Sequence, residues 1–333
     1  MSSQALRIVL GCATDSAYAP HATTTLLSAI RNTPAANFTI YYLHTPDFSS
    51  ECQTLIRQCL APYSSRVEIT FVAVPDEMVV GLPLFRRKAA DPSRPLPRPV
   101  MWYRVFLPQL VPSESKLLYL DSDILVLDSL EELWRTDLKG KALAATANPF
   151  WDNTDDAGWI KTCGLADGNQ YFNSGVMVVD LEYWRRHGIT DRVTQHGIAN
   201  ASWTRFGDQD SLVAVLHDHW VPIEPRWNAM RAIIMMLPKQ NTSVELFSPQ
   251  QLHDAVRRPA IIHFTGSAKP WIDPRRHPYG RLYLRYARKL PWPVPAASWN
   301  LLDIENFLIL RNWPRSRRWV GQLRQFLRSS RPK

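Results

Sequence analysis

Between Arg7 and Val74 short apolar runs alternate with helical periodicities, and this alternation narrows the fold more than any other feature of the chain. Residues 7–10 read as a strand leading into Gly11-Cys12-Ala13-Thr14-Asp15. Thr24, Leu26, Leu27, Ser28, Ile30 and Arg31 then fall at helical spacing ahead of Pro34. Residues 38–43 form a second strand. Leu55, Ile56, Cys59 and Leu60 mark a second helix, and residues 66–74 alternate as a third strand. Successive strands separated by helices need crossover connections, which predicts an α/β fold around a mainly parallel sheet. Such sheets bind ligands beyond the C-terminal ends of their strands. Asp15 falls at one such end.

A second strand end is chemically richer. Residues 117–126, LLYLDSDILV, begin as an apolar run and then present Asp121 and Asp123. Unpaired buried charges are costly, so two acids at the end of an apolar strand need a reason. In an extended segment residues two apart point the same way, which would aim both carboxylates at one cation. Hard divalent ions take such oxygen ligands, with phosphate or water completing the shell. A solvated acidic turn is the plainer alternative, and Asp-Ser-Asp alone does not separate the two.

Further along, residues 86–99 are rich in Pro and Arg without apolar period, a surface loop that is either a flap or a plain insertion. Residues 129–138 predict a short helix or turn and residues 143–146 a strand. Phe172-Asn173-Ser174-Gly175 opens a strand over 176–179, residues 208–216 predict a helix, and residues 260–264 a final strand. The four cysteines show no metal-ligand spacing and read as reduced thiols in a cytoplasmic protein. No charged N-terminal region precedes an apolar core, so no signal peptide is expected, and no apolar run is long enough to span a membrane.

Five ordered blocks carry a family resemblance. They are ATDSAYAPH from Ala13, LLYLDSDILVLDSLEELW from Leu117, GLADGNQYFNSGVMVVDLEYWRRHGI from Gly164, DQDSL from Asp208 and HFTGSAKPW from His263. Together they resemble the family 8 retaining glycosyltransferases of the bacterial lipopolysaccharide galactosyl- and glucosyltransferase type. The resemblance implies a GT-A nucleotide-sugar fold, a UDP-galactose or UDP-glucose donor and a divalent metal, Mn2+ with Mg2+ as second choice. It implies transfer to a hydroxyl of a lipid-linked saccharide acceptor, with retention of configuration.

By the same resemblance, Asp121, Asp123 and His263 are the metal ligands. Without the acids His263 would read as a satisfied strand-end histidine. Gly266 would let the backbone approach a diphosphate and Lys269 would give it a point charge. Ala13, Asp15 and Tyr18 correspond to nucleotide-binding positions, although Asp15 would serve equally as a helix cap. Ser16 and Ala17 depart from the family pattern of an acid followed by Asn. Arg104, Ser122 and Asn173 are implied donor contacts, against a plain surface role for Arg104. Asp208 and Gln209 fall around the donor hexose as catalytic candidates, with helix capping the alternative for Asp208. An amide is a poor nucleophile, so Gln209 reads as a positioning or charge-stabilising group.

The formal charge of +9 sits mostly at the C-terminus, where Arg311–Lys333 carries seven Arg, one Lys and no acid. Trp319, Val320, Leu323, Phe326 and Leu327 make one apolar helical stripe among these cations, which suits an anionic membrane surface. A solvated tail or a nucleic-acid contact is the alternative, and no nucleic-acid partner is expected. The chain thus divides into a transferase domain over 1–285 and a Pro/Trp-rich linker with a basic amphipathic segment over 286–333. The protein is expected to lie peripherally on the cytoplasmic face of the plasma membrane. Two other functional classes bear on Asp-Ser-Asp: a phosphatase of the haloacid dehalogenase type and a sugar-nucleotide binder without catalysis.

Overall fold

The computed structural model describes residues 5–84, 99–149, 160, 161, 163–166, 170–202, 204–236 and 246–293. The basic C-terminal segment, most of the Pro/Arg-rich loop and residues 150–159 lie outside them.

The main sheet contains β1 (Arg7–Thr14), β2 (Asn37–His44), β3 (Val67–Ala73), β4 (Lys116–Leu120), β6 (Leu143–Ala147), β7 (Phe172–Asp180) and β8 (Trp220–Pro222). A separate small sheet contains β5 (Ile124–Val126), β9 (Ala229–Met230) and β10 (Ile261–His263). The main sheet runs β3-β2-β1-β4-β7-β6-β8. Only β7 opposes its neighbours, pairing antiparallel with β4 and β6, so the sheet is mainly parallel as the alternation predicts. From β1 the chain steps outward to β2 and β3, then crosses back to place β4 on the other side of β1. That reversal opens a crevice at the C-terminal ends of β1 and β4.

Strand alternation divides the core between two faces. Val9, Leu117, Tyr119, Met177 and Val179 belong to one apolar cluster. Ile8, Leu10, Leu118, Leu120, Val176 and Val178 belong to the other, with Leu26 and Ile30 of helix α1 (Ala19–Asn32) and Ile56 of helix α2 (Ser50–Leu60).

Buried hydroxyls on α1 have a different task. Strand β5 pairs with β10 on one side, and α1 supplies partners on the other. Thr25 Oγ1 donates to Ile124 O at 2.8 Å, Val126 N donates to Ser28 Oγ at 2.9 Å, and Asn32 Nδ2 donates to Val126 O at 3.0 Å. The helix thus completes the edge of a strand whose buried backbone groups would otherwise go unpaired.

The stretch 117–126 departs from the single strand read in the sequence. It breaks at Asp121-Ser122-Asp123 into β4 and β5, which belong to different sheets. The convergence of the acids therefore comes from a turn between sheets, not from strand alternation.

Candidate metal and donor site

Three elements close on that turn. Register sets the first: His263 pairs opposite Ile124, and Phe264 N donates to Asp123 O at 2.9 Å. The imidazole is thereby carried alongside both carboxylates, with Nε2 3.1 Å from Asp123 Oδ1 and 3.6 Å from Asp121 Oδ2. One ligand atom from each of the three residues lies within 4.8 Å of the others. The second element is β7, whose Gly175 O accepts from Asp121 N at 2.8 Å. A Cβ at Gly175 would overlap the His263 ring and come within 2.7 Å of Asp121 Oδ2, so only glycine leaves room for the cluster.

The third element is the loop after β10. The Lys269 ammonium ion-pairs with Asp123 and donates to Phe264 O at 2.8 Å. Burial opposes ionisation of Asp123, but Lys269 and His263 outweigh it and hold the carboxyl below the usual range. Burial likewise opposes charge on Lys269, and Asp123 outweighs it in turn, raising the ammonium pKa. Gly266 turns with φ of 74°, a left-handed conformation that favours glycine. Two carboxylates and an imidazole form a donor set suited to Mn2+ and less suited to Mg2+. The residues present fit such an ion.

On the sheet side of the turn, Arg104 is buried and joins the acids to a second group. Its guanidinium lies 2.9 Å from Asp121 Oδ1 and donates to Ser174 O at 2.7 Å, with the Tyr119 ring beneath it at 4.7 Å. Desolvation works against its charge, but Asp121 and Asp208 prevail and raise its pKa. Arg104 Nε sits 3.0 Å from Asp208 Oδ2, yet its N–H is used by Met101 O at 3.0 Å. That carboxylate oxygen therefore has Coulombic attraction without a hydrogen bond. Burial, opposed by Arg104, pushes the Asp208 carboxyl up to about 7.

Asp208 and Gln209 open helix α3 (Asp208–Leu216) after Gly207, which has φ of 61°. Gln209 Oε1 accepts from Ser174 N at 3.1 Å and from Asn173 Nδ2 at 3.0 Å, while its Nε2 donates to Tyr171 OH at 3.0 Å. Asp210 accepts from Tyr171 OH and from the amides of Arg205 and Phe206.

The predicted nucleotide residues lie at the neighbouring end of β1. Ala13 is on the strand, and Asp15 Oδ1 caps the following turn by accepting from Tyr18 N at 2.9 Å. Ser16, one of the departures from the family pattern, accepts from Ser49 N at 3.2 Å and ties this turn to the start of α2. Tyr18 meets Trp271 edge-on at 5.7 Å, and His21 stacks on the same indole at 3.7 Å. Lys269 lies 5.6 Å from that ring, which connects the two halves of the site. Ser122 occupies the acidic turn itself, its carbonyl accepting from Thr25 Oγ1 at 3.3 Å.

The structure thus brings Asp121, Asp123, His263, Lys269, Arg104, Asn173, Asp208 and Gln209 into one connected group. Two members were not singled out in the sequence. Gly175 carried a signal, a glycine inside an apolar strand. Asn228, whose Oδ1 lies 2.9 Å from His263 Nδ1, carried none, because the two-residue strand after it is too short to show a period.

Residues 9–274 match the profile of Glycosyl transferase family 8. A putative glycosyltransferase of Haemophilus influenzae is 27% identical over 312 residues, covering 92% of this chain and 86% of that protein. General stress protein A of Bacillus subtilis is 34% identical over 200 residues, covering 57% of this chain and 65% of that protein. The match thus spans less than two thirds of the latter's length. Among solved structures, the galactosyltransferase LgtC in complex with donor and acceptor sugar analogues superposes with a TM-score of 0.72 at 26% identity. That superposition covers 87% of this chain and 98% of LgtC. The sheet with its acidic turn is a GT-A type glycosyltransferase fold, which leaves the phosphatase reading of Asp-Ser-Asp unsupported. The chain belongs to glycosyl transferase family 8.

Proposed function

We propose that this glycosyltransferase moves galactose or glucose from a UDP-sugar to a hydroxyl of a lipopolysaccharide or related glycolipid, with retention of configuration. The observation that carries the reading is the convergence of Asp121, Asp123 and His263 beside Lys269 and the Arg104–Asp208 pair. The likeness to LgtC, a galactosyltransferase solved with donor and acceptor sugar analogues, supports transfer between a sugar donor and a sugar acceptor.

Asp121, Asp123 and His263 would hold Mn2+, with Mg2+ as second choice, and the ion when bound supplies positive charge against the departing diphosphate. Lys269 adds a second positive charge on the same side. Ala13, Asp15 and Tyr18 would receive the nucleoside, with Ser122 and Gly266 as backbone neighbours of the diphosphate. Arg104, Asn173 and Asp208 would orient the hexose, since carboxylate and amide groups match its hydroxyls. The Gln209 side chain is held by four hydrogen bonds, and its oxygen already accepts two N–H groups and the Ser174 hydroxyl. That suits a rigid positioning group near the sugar rather than a nucleophile. An active-site glutamine-to-glutamate mutant of LgtC has been solved, which supports a glutamine near the reaction centre.

We further propose that residues 1–285 form the transferase body and that 286–333 hold it peripherally on an anionic membrane from the cytoplasmic side. Among the described residues no helix is long and apolar enough to cross a membrane.

A screen of UDP-sugars with Mn2+ and lipid-linked acceptors tests the assignment, with NMR of the product's anomeric centre. Turnover with UDP-galactose or UDP-glucose to the retained anomer is expected. An inverted product, or UDP-sugar binding without turnover, would contradict it; the latter favours a catalytically silent binder.

A further inference from the structure

We infer that Asn228 is a positioning residue: it holds the His263 proton on Nδ1, so that Nε2 is presented to the acidic pair as a metal ligand. The inference rests on the metal-centre reading above and adds the residue that prepares the imidazole for it.

The argument starts from a group whose polarity is fixed. The backbone N–H of Gly175 can only donate, and it lies 3.1 Å from Asn173 Oδ1, which must therefore be the oxygen end of that amide. Asn228 approaches the same oxygen at 2.8 Å and so turns its Nδ2 toward it. The other end of the Asn228 amide is then Oδ1, an obligatory acceptor, 2.9 Å from His263 Nδ1. An acceptor there requires N–H on Nδ1. Nε2, the other ring nitrogen, faces Asp123 and Asp121 at 3.1 and 3.6 Å; it is the nitrogen that gives up any proton to bind a cation, while Nδ1 keeps its own. A backbone amide thus fixes a proton on His263 Nδ1 through two side chains. The Asn173 end is fixed again from the other side, where its Nδ2 donates to Gln209 Oε1, itself fixed by Ser174 N.

Burial gives the relay its force. Asn228 is fully buried and His263 nearly so, and no flip of either amide keeps these contacts paired. Outer hydrogen bonds of this kind fix ligand orientation, and their loss costs roughly 10–100-fold in metal affinity.

The test uses the full chain. In metal-free protein at pH 9, 15N NMR of labelled histidine, with His263 assigned by its loss in His263→Ala, is expected to show the proton on Nδ1. Asn228→Leu, which keeps bulk and removes the acceptor, should move the proton toward Nε2 and weaken Mn2+ binding roughly 10–100-fold. Asn228→Asp keeps an acceptor, should keep the Nδ1 proton, and should bind Mn2+ more tightly than Asn228→Leu. A wild-type ring protonated on Nε2 and bare on Nδ1 would overturn the inference, whether or not the variants fold. So would an Asn228→Leu protein with wild-type Mn2+ affinity and an unchanged ring. Unchanged Mn2+ affinity in His263→Ala would instead overturn the ligand role of His263 on which the inference rests.

Discussion

Gly175 and Asp208 show how much of the site depends on what single residues lack. At Gly175 the missing side chain is the space that His263 and Asp121 occupy. Gly175→Ala should cost about 1–3 kcal/mol of stability by overpacking, read by denaturant unfolding, and should lose Mn2+ binding in the same protein. Asp208 lacks a hydrogen bond on a buried carboxylate oxygen, and Arg104 is the main group offsetting its desolvation. A group so placed can answer to the charge and hydroxyls of a bound sugar. Asp208→Asn and Gln209→Ala should therefore lower kcat more than they weaken UDP binding, measured by steady-state kinetics beside UDP titration. Unchanged turnover in both would remove them from the reaction centre.

At the scale of elements, the alternation of apolar runs with helical spacing foretold β1 to β3 and the helices between them, because each is long enough to show its period. Asp208–Leu216 was legible for the same reason. Of the small sheet only β10 was, as the final strand over residues 260–264. Strands β5, β9 and β10 have two or three residues each, and β5 depends on α1 hydroxyls and on β10, more than a hundred residues away. The grouping of Asp121, Asp123 and His263 was legible as a family pattern, whereas the turn that aligns the acids and the Asn228 contact arise only when two sheets meet. The loop and helix after β10 add a pH response. Burial, with Arg231 and Lys269 adding to it, depresses His277 to about 3, and its Nδ1 accepts from Tyr279 N at 3.2 Å. Because the folded pKa lies below the unfolded value near 6.5, this contribution is full above pH 6.5 and is lost as pH falls toward 3. Within that window the slope is about 1.4 kcal/mol per pH unit for this group. His277→Asn, which keeps an acceptor without titrating, should flatten the acid limb of a thermal-midpoint profile; an unaltered limb would place the sensitivity elsewhere.

For the whole molecule, charge separates the catalytic body from its surroundings. Arg311–Lys333 carries +8 of the net +9, which leaves 9 − 8 = +1 for all other residues. Removing that segment should abolish sedimentation with anionic vesicles and leave UDP-sugar hydrolysis largely intact. Equal vesicle binding without it would assign the membrane contact to the body. The proposed chemistry of the body turns on the cation site at the meeting of two sheets, and Mn2+ binding reads that site without reference to donor or acceptor. Electron paramagnetic resonance of free Mn2+ during titration of the full chain should give one tight site, lost in Asp123→Asn and in His263→Ala. Undiminished Mn2+ binding in both variants would contradict the metal centre.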